Sequence, residues 1–301
     1  MQETGKKLNL GIIGISPGNG HPYSWSSIFN GFKQNELKKC PYPSIVQYLK
    51  NKRFPEDFLE CGRVTHVWTQ SLQESRLISK ISKIPNIVEN LNTLPGKVDA
   101  VLLARDDAEN HLQFSKIFIE KGIPIFIDKP LALSEKIGKY ILELEKWEGQ
   151  IFTCSALKYA DEMKLTEKKK KSIGKLKKII GTTPNSWNKY SIHVIEPIID
   201  IIGEESIAKK VKVNKNKNFT SCEILWDNDL ITTFISTGEK KTRISIKFIG
   251  EFSSCENFFS DPFNCFKKSL ETFCLGVTER KRMFDKSKLF KVLEIIEMGL
   301  G

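Results

Sequence analysis

Lys129 closes the apolar run Ile123-Pro-Ile-Phe-Ile-Asp-Lys129, and Pro130 follows it. A cation at the end of a buried strand, ahead of a proline that restricts its backbone, either snorkels to the sheet edge or serves a reaction. One strand earlier, Val98-Asp-Ala-Val-Leu-Leu-Ala104 runs into Arg105-Asp106-Asp107-Ala-Glu-Asn110-His111. Carboxylates, a guanidinium and an imidazole thus gather at a strand end, the edge where open α/β sheets bind ligands. A further imidazole, His193, lies in Tyr190-Ser-Ile-His-Val-Ile-Glu196, where helical spacing puts Lys189, His193 and Glu196 on one face. An ammonium and an imidazole are groups that take or give the proton of a hydroxyl while its carbon changes oxidation state.

Positioning such groups takes a scaffold, and its opening is legible. Leu8–Ile15 reads as a strand that enters Ser16-Pro-Gly18-Asn-Gly20, with a helical pattern from about Trp25. Strand, glycine loop and helix is how a dinucleotide pyrophosphate is met by bare N–H groups. The spacing of Gly14, Gly18 and Gly20 is G-x-x-x-G-x-G rather than G-x-G-x-x-G, but the glycines still supply a loop that a ligand can approach. The second strand, 63–69, ends in Thr69-Gln70-Ser71 where an NAD enzyme usually offers a carboxylate to the ribose. Without that carboxylate, and with Arg76 close by in sequence, NAD and NADP both remain open.

A helix over about 72–83, strands at 98–104 and 123–128 joined by a helix of about 14 residues, and a helix from Glu135 to about Trp147 continue the alternation. Gln150–Ser155 then reads as a strand crossing into a second domain. Stretches 176–183, 208–214, 221–227, 230–236 and 243–249 have strand character, with helices at 190–202, 263–275 and 287–298. The expected fold is α/β, an N-terminal Rossmann doubly wound parallel sheet over 1–152 plus an α+β domain with an open, mostly antiparallel sheet over 153–301.

Asp128-Lys129-Pro130 after a β-α-β unit, with His193 downstream, resembles the Gfo/Idh/MocA family of NAD(P)-dependent oxidoreductases. The family's usual tripeptide is Glu-Lys-Pro, and its second domain carries a histidine, often within Asp-x-Gly-x-His. Here Asp128 replaces the glutamate, Lys189 stands at the aspartate and Ser191 at the glycine. The resemblance runs from Leu8 to the last helix and implies Lys129 and His193 as the catalytic pair, with the proton acceptor between them left open. With the glycine loop, Ser16, Gln70, Ser71, Ala104, Arg105, Asp106, His111 and Asp128 are expected to face NAD or NADP. Lys158, Tyr159, Trp187, Asn188, Lys189 and Glu196 are expected to face substrate, with no metal. The implied activity is hydride transfer to or from a sugar or nucleotide-sugar hydroxyl or ketone, in surface-glycan biosynthesis, by a homo-oligomer formed through the second-domain sheet. The competing reading is a catalytically silent dinucleotide- or sugar-binding regulatory protein of the same fold, which the loop spacing and Lys189 allow.

At 301 residues and 40% hydrophobic content the chain can bury two cores. Its apolar runs are too short for a membrane span, no secretory signal pattern opens it, and its seven cysteines lack C-x-x-C spacing, so a cytoplasmic, disulfide-free protein is expected. The net charge of +11 raises the question of nucleic acid. The densest run, Lys168–Lys171 followed by Lys175, Lys177 and Lys178, has no interleaved aromatics and reads as a solvated loop or helix end, so no nucleic-acid partner is expected. The surplus of lysine instead favours an anionic substrate.

Overall fold

The computed structural model describes residues 7–301. In chain order the elements begin β1 (Leu8–Ile13), α1 (His21–Asn30), α2 (Gln34–Leu37), α3 (Pro43–Leu49), β2 (Gly62–Trp68), α4 (Leu72–Ile81) and β3 (Asn86–Ile87). They continue β4 (Ala100–Leu103), α5 (His111–Glu120), β5 (Ile125–Ile127), α6 (Glu135–Glu143) and β6 (Ile151–Phe152). After these come α7 (Glu167–Ile173), β7 (Leu176–Thr183), α8 (Trp187–Tyr190), α9 (Ile192–Ile202), β8 (Ala208–Lys215), β9 (Thr220–Trp226) and β10 (Ile231–Ser236). The last are β11 (Ser245–Gly250), β12 (Ser254–Phe258), α10 (Pro262–Glu279) and α11 (Lys286–Met298).

The chain forms two compact units. The first gathers the chain up to Leu131 with Tyr140–Thr153 and Phe266–Phe284; the second gathers Ala132–Lys139, Cys154–Cys265 and Asp285–Gly301. The main passage between them falls at Thr153/Cys154, and two stretches depart from a division into two sequence blocks. One is Ala132–Lys139, which joins the second unit, and the other is the latter part of α10 with its following turn, which returns to the first unit. Phe273 there packs on Phe126 and Phe152, and Arg282 binds Glu145 at 2.5 Å.

In the first unit six parallel strands take the order β3-β2-β1-β4-β5-β6. Connections run outward from β1 in both directions, so the switch point lies between β1 and β4, the crevice where doubly wound sheets bind ligands. The register aligns Ile13 with Leu103 and Leu103 with Ile127, so Gly14, Ala104 and Asp128 leave the sheet at one level. The central strands β4 and β5 are buried on both faces, which is why their sequences run apolar rather than alternating. Leu10, Ile12, Leu102, Leu103, Ile125 and Ile127 are fully buried, each contributing about 1.5–3 kcal/mol.

Two local expectations need correcting. Helix α1 begins at His21, not near Trp25, because Pro22 occupies the first turn, where its missing N–H costs nothing. Helix α6 ends at Glu143 rather than running to Trp147. The lysine-rich run is the solvated helix end expected of it: Lys170 and Lys171 are exposed in the last turn of α7, whose Thr166 cap accepts the Lys169 N–H.

The second unit holds a sheet ordered β12-β11-β7-β10-β9-β8, antiparallel except for the β7/β10 pair. Val194, Ile195, Ile198 and Ile199 are buried on one side of α9. A Cβ at Gly181 of β7 would sit 2.6 Å from Val194, so the glycine is what lets helix and strand approach. His193 and Glu196 lie on the other side of α9 and Lys189 in the preceding α8, all half-buried.

Candidate active site

The glycine loop is shaped by close approach at two positions and by backbone handedness at a third. A Cβ on Gly14 would lie 2.7 Å from the Ala104 carbonyl oxygen, and one on Gly20 would strike Tyr42 and Ile45. Gly18 has φ +82° and open space around it. The remaining loop residues are tied by side chains. Gln70 clasps Ile15, accepting its N–H at 2.9 Å and donating to its carbonyl at 2.7 Å. Ser16 donates to Asp106 Oδ1 at 2.7 Å and accepts the Asp106 N–H at 3.2 Å. Ser71 caps α4 by accepting the Glu74 N–H. The N–H groups of Ser16, Gly18 and Gly20 have no acceptor among the described residues. Orphaned donors around an open glycine, at the start of a helix on the switch-point side of β1, fit a dinucleotide pyrophosphate.

At the neighbouring strand ends the expected residues are brought together, in two different kinds of setting. Arg105 is spent on the protein: Nε and Nη2 reach Asp107 at 3.0 and 2.5 Å, Nη1 donates to the Ile15 carbonyl at 2.8 Å, and the guanidinium lies over Phe114. Burial alone would raise the Asp107 carboxyl, but the bonds from Arg105 and from Asn110 outweigh it and hold the group below the usual carboxylate range. His111 is fully buried, with Nδ1 3.1 Å from the Leu131 carbonyl and Nε2 2.7 Å from the Arg105 carbonyl. It therefore braces the turn after β4 against the turn after β5. Lys129, 4% exposed, holds its ammonium 3.9 Å from Asp106 Oδ2, and so connects through Ser16 to the glycine loop. Asp128 accepts from Asn19 at 2.9 Å and from the Lys129 N–H at 2.8 Å, and pairs with His21 at 2.5 Å.

In the second unit, Ser155 stands at the centre of a polar cluster. Its hydroxyl is 2.8 Å from His193 Nδ1, its N–H donates to Glu196 Oε2 at 2.6 Å, and Glu196 lies 3.5 Å from the Lys158 ammonium. Glu196 therefore orients the residue that meets His193. Burial pushes the Glu196 carboxyl up, with Lys158 opposing. Burial would lower Lys158, but the carboxylate of Glu196 overcomes it and raises the ammonium above its ordinary range. Tyr190 packs edge-on against His193, 5.6 Å between centroids. Tyr159 adjoins Lys158, whose ammonium is 5.8 Å from the ring. Lys158 also borders a cavity of about 360 Å³ with Lys164, Lys170 and Asp200 over a floor of Leu157 and Met163.

Trp187 and Asn188 line a different cleft, of about 450 Å³, with Lys215 and Asn216. Trp187 itself is core: it is 4% exposed, donates to the Ile296 carbonyl at 2.8 Å, and leaves no room for a Cβ at Gly299. Sequence reasoning gave no role to Asn19 or Ser155. Asn19 had a signal, since an asparagine between two glycines commonly bonds its own backbone. Ser155 had only its place just after β6.

A doubly wound parallel sheet with a glycine loop at the switch point, and a buried lysine at the next strand end, defines a dinucleotide-binding protein of the oxidoreductase type. Residues 8–155 match the sequence model of the Gfo/Idh/MocA family, described as "Oxidoreductase family, NAD-binding Rossmann fold". Comparison with curated protein sequences finds no match. Among solved structures the fold is similar to myo-inositol 2-dehydrogenase from Lactobacillus plantarum, with TM-score 0.73 and 12% identity over 97% of this chain and 96% of that one. It is also similar to biliverdin reductase from Synechocystis sp. PCC 6803, solved with biliverdin and NADP+, with TM-score 0.69 and 13% identity over 97% and 98%. UDP-N-acetylglucosamine 3-dehydrogenase from Acidithiobacillus ferrooxidans aligns with TM-score 0.67 and 9% identity over 98% and 97%. Among the described residues, no helix is long and apolar enough to cross a membrane.

Proposed function

We propose that the protein is an NAD(P)-dependent oxidoreductase that exchanges hydride with a hydroxyl or ketone carbon of a sugar, free or nucleotide-linked, in surface-glycan biosynthesis in the cytoplasm. The observation that carries this reading is Lys129: a nearly buried ammonium at the end of β5, connected through Asp106 and Ser16 to a loop of orphaned N–H donors. Bound there, the dinucleotide would supply or accept the hydride. Ser16, Gly18 and Gly20 hold its phosphates by backbone N–H, and Gln70 keeps the loop in shape. Lys129 Nζ donates to, or receives a proton from, the substrate oxygen. His193, held at Nδ1 by Ser155, moves the same proton through Nε2, and Glu196 fixes Ser155. Lys158 and Tyr159 contact the substrate's other polar groups. The open face of the second unit's sheet, with Ile180, Leu225, Ile231 and Ile235 half-exposed, pairs with another copy of the chain. The similarity to dehydrogenases of inositol and of a nucleotide sugar supports the substrate class.

The test is calorimetry with NAD(H) and NADP(H), then a screen of sugars and nucleotide sugars for turnover. Lys129→Ala and His193→Ala should each lower turnover by roughly a hundredfold or more, with cofactor affinity nearly unchanged. The double variant should lose less than the product of the two, because the groups serve one proton transfer. Wild-type turnover in both single variants would refute the pair. Cofactor binding without turnover on any member of the panel would favour the silent binding protein.

A further inference from the structure

At the carboxyl edge of the first unit's sheet, each of three buried carboxylates has a basic side chain beside it: Arg105 at Asp107, Lys129 at Asp106, and His21 at Asp128. Arg105 is consumed by protein acceptors. His21 is placed differently. Its Nδ1 lies 2.5 Å from Asp128 Oδ2, while Nε2 has no partner among the described residues, and the side chain keeps 18% exposure.

The ring is held in every direction that matters. It stacks on Trp25 at 5.0 Å and 14°, meets Phe266 edge-on at 5.0 Å, and Trp25 in turn stacks on Phe126 of β5 at 4.7 Å. Asn19 closes the arrangement, donating to Asp128 Oδ2 at 2.9 Å and accepting the His21 N–H at 2.7 Å. A carboxylate behind one ring nitrogen fixes the imidazole's orientation, and the imidazolium, which donates at both nitrogens, presents its outer Nε2–H away from Asp128. The fixed imidazole is the first residue of α1, directly after the loop whose Ser16, Gly18 and Gly20 N–H groups are orphaned.

We propose that His21 is a cofactor-binding residue: its Nε2–H donates to an anionic oxygen of the dinucleotide pyrophosphate, with Asp128 as its support. The inference rests on the dinucleotide reading above and adds to it a side-chain donor that the glycine loop alone does not supply. It also resolves an electrostatic conflict. A pyrophosphate set near Asp106 and Asp128 meets like charge, and an imidazolium shared between Asp128 and the phosphate offsets that repulsion at the position where it arises.

The experiment measures NADH, NADPH, ADP-ribose and adenosine binding to wild type and to His21→Phe, which keeps the stack on Trp25 and removes both nitrogens. Affinity for NADH, NADPH and ADP-ribose should fall roughly ten- to a hundredfold, the scale of one hydrogen bond to a charged group, while adenosine, which lacks phosphate, should be unaffected. A second measurement needs no variant: diethyl pyrocarbonate modification of the wild type, read by peptide mass. His21 should be modified in the free protein and protected by NADH. If wild type binds the dinucleotides, but His21→Phe binds them within twofold and NADH gives no protection, the inference is wrong while the oxidoreductase reading stands. If wild type binds neither dinucleotide, that reading falls first.

Discussion

Replacing Arg105 by alanine isolates a charge that the fold cannot leave alone. Arg105 and Asp107 are 5% and 7% exposed and joined by two hydrogen bonds. Removing one partner of a buried pair strands the other, at a cost of about 3–5 kcal/mol. For a unit of this size that is a drop of roughly 6–20 °C in melting temperature. The same change releases the Ile15 carbonyl and the ring of Phe114, so the glycine loop loosens as well. The cost should depend on pH with a definite sign. Asp107 titrates below the ordinary carboxylate range in the wild type, so its pairing stabilises the fold above the unfolded value near 4 and is lost as pH falls through the lower folded value. Without Arg105, burial raises the same carboxyl, and protonation relieves the variant early on the way down. The gap between wild type and variant, measured by urea unfolding, should be widest near pH 7 and narrow toward pH 4. Adding Asp107→Asn to Arg105→Ala should recover about half of the loss. A gap below about 1 kcal/mol at pH 7, or no recovery from the second change, would refute the argument.

Gly14→Ala should cost about 1–3 kcal/mol in urea unfolding, because its Cβ meets backbone at Ala104 and neither strand end can yield cheaply. Gly18→Ala, with a left-handed backbone but open space, should cost about 1–2 kcal/mol and leave the spacing of β1 and β4 intact. Lys158→Met should destabilise by about 1–3 kcal/mol at pH 7 and by less toward pH 4–5, since Glu196, already raised by burial, is then relieved by taking up a proton. Thermal melts at the two pH values check it, and an equal loss at both would count against the pairing.

The parallel sheet was legible because a strand buried on both faces must be apolar along its length, as in Val101-Leu-Leu103 and Ile125-Phe-Ile127. Two strands escaped for the converse reason. Asn86–Ile87 of β3 is two exposed residues, and Ser254–Phe258 of β12 carries a polar edge with no clean alternation. The site divided in the same way. Lys129, Asp128 and the 105–107 run announce themselves by polarity at the ends of apolar runs, whereas their partners do not. Nothing local in the sequence joins His21 to Asp128, 107 positions away, or Ser155 to His193, 38 positions away. Arg105 and His111 looked like ligand contacts because sequence shows a polar group at an edge without showing which protein acceptors it has already met. Trp187, taken for a site-lining aromatic, lies under the C-terminal residues through a bond to the Ile296 carbonyl that sequence could not specify.

The return of α10 to the first unit has a consequence for the order in which the chain can become a protein. The aromatic layer over β5 and β6 needs Phe273 and Phe284, and Glu145 and Gly149 await Arg282. A ribosome that has finished Thr153 must still make the 113 residues to Phe266 before the first of that stretch exists, roughly 6–20 s of synthesis. During that interval Phe126 and Phe152 lack their cover, and the glycine loop, the earliest part of the site to be made, is built on a sheet whose far side is unfinished. Residues 8–155, a coherent unit to evolution, are for the folding chain an open fragment that the last fifth of the sequence closes.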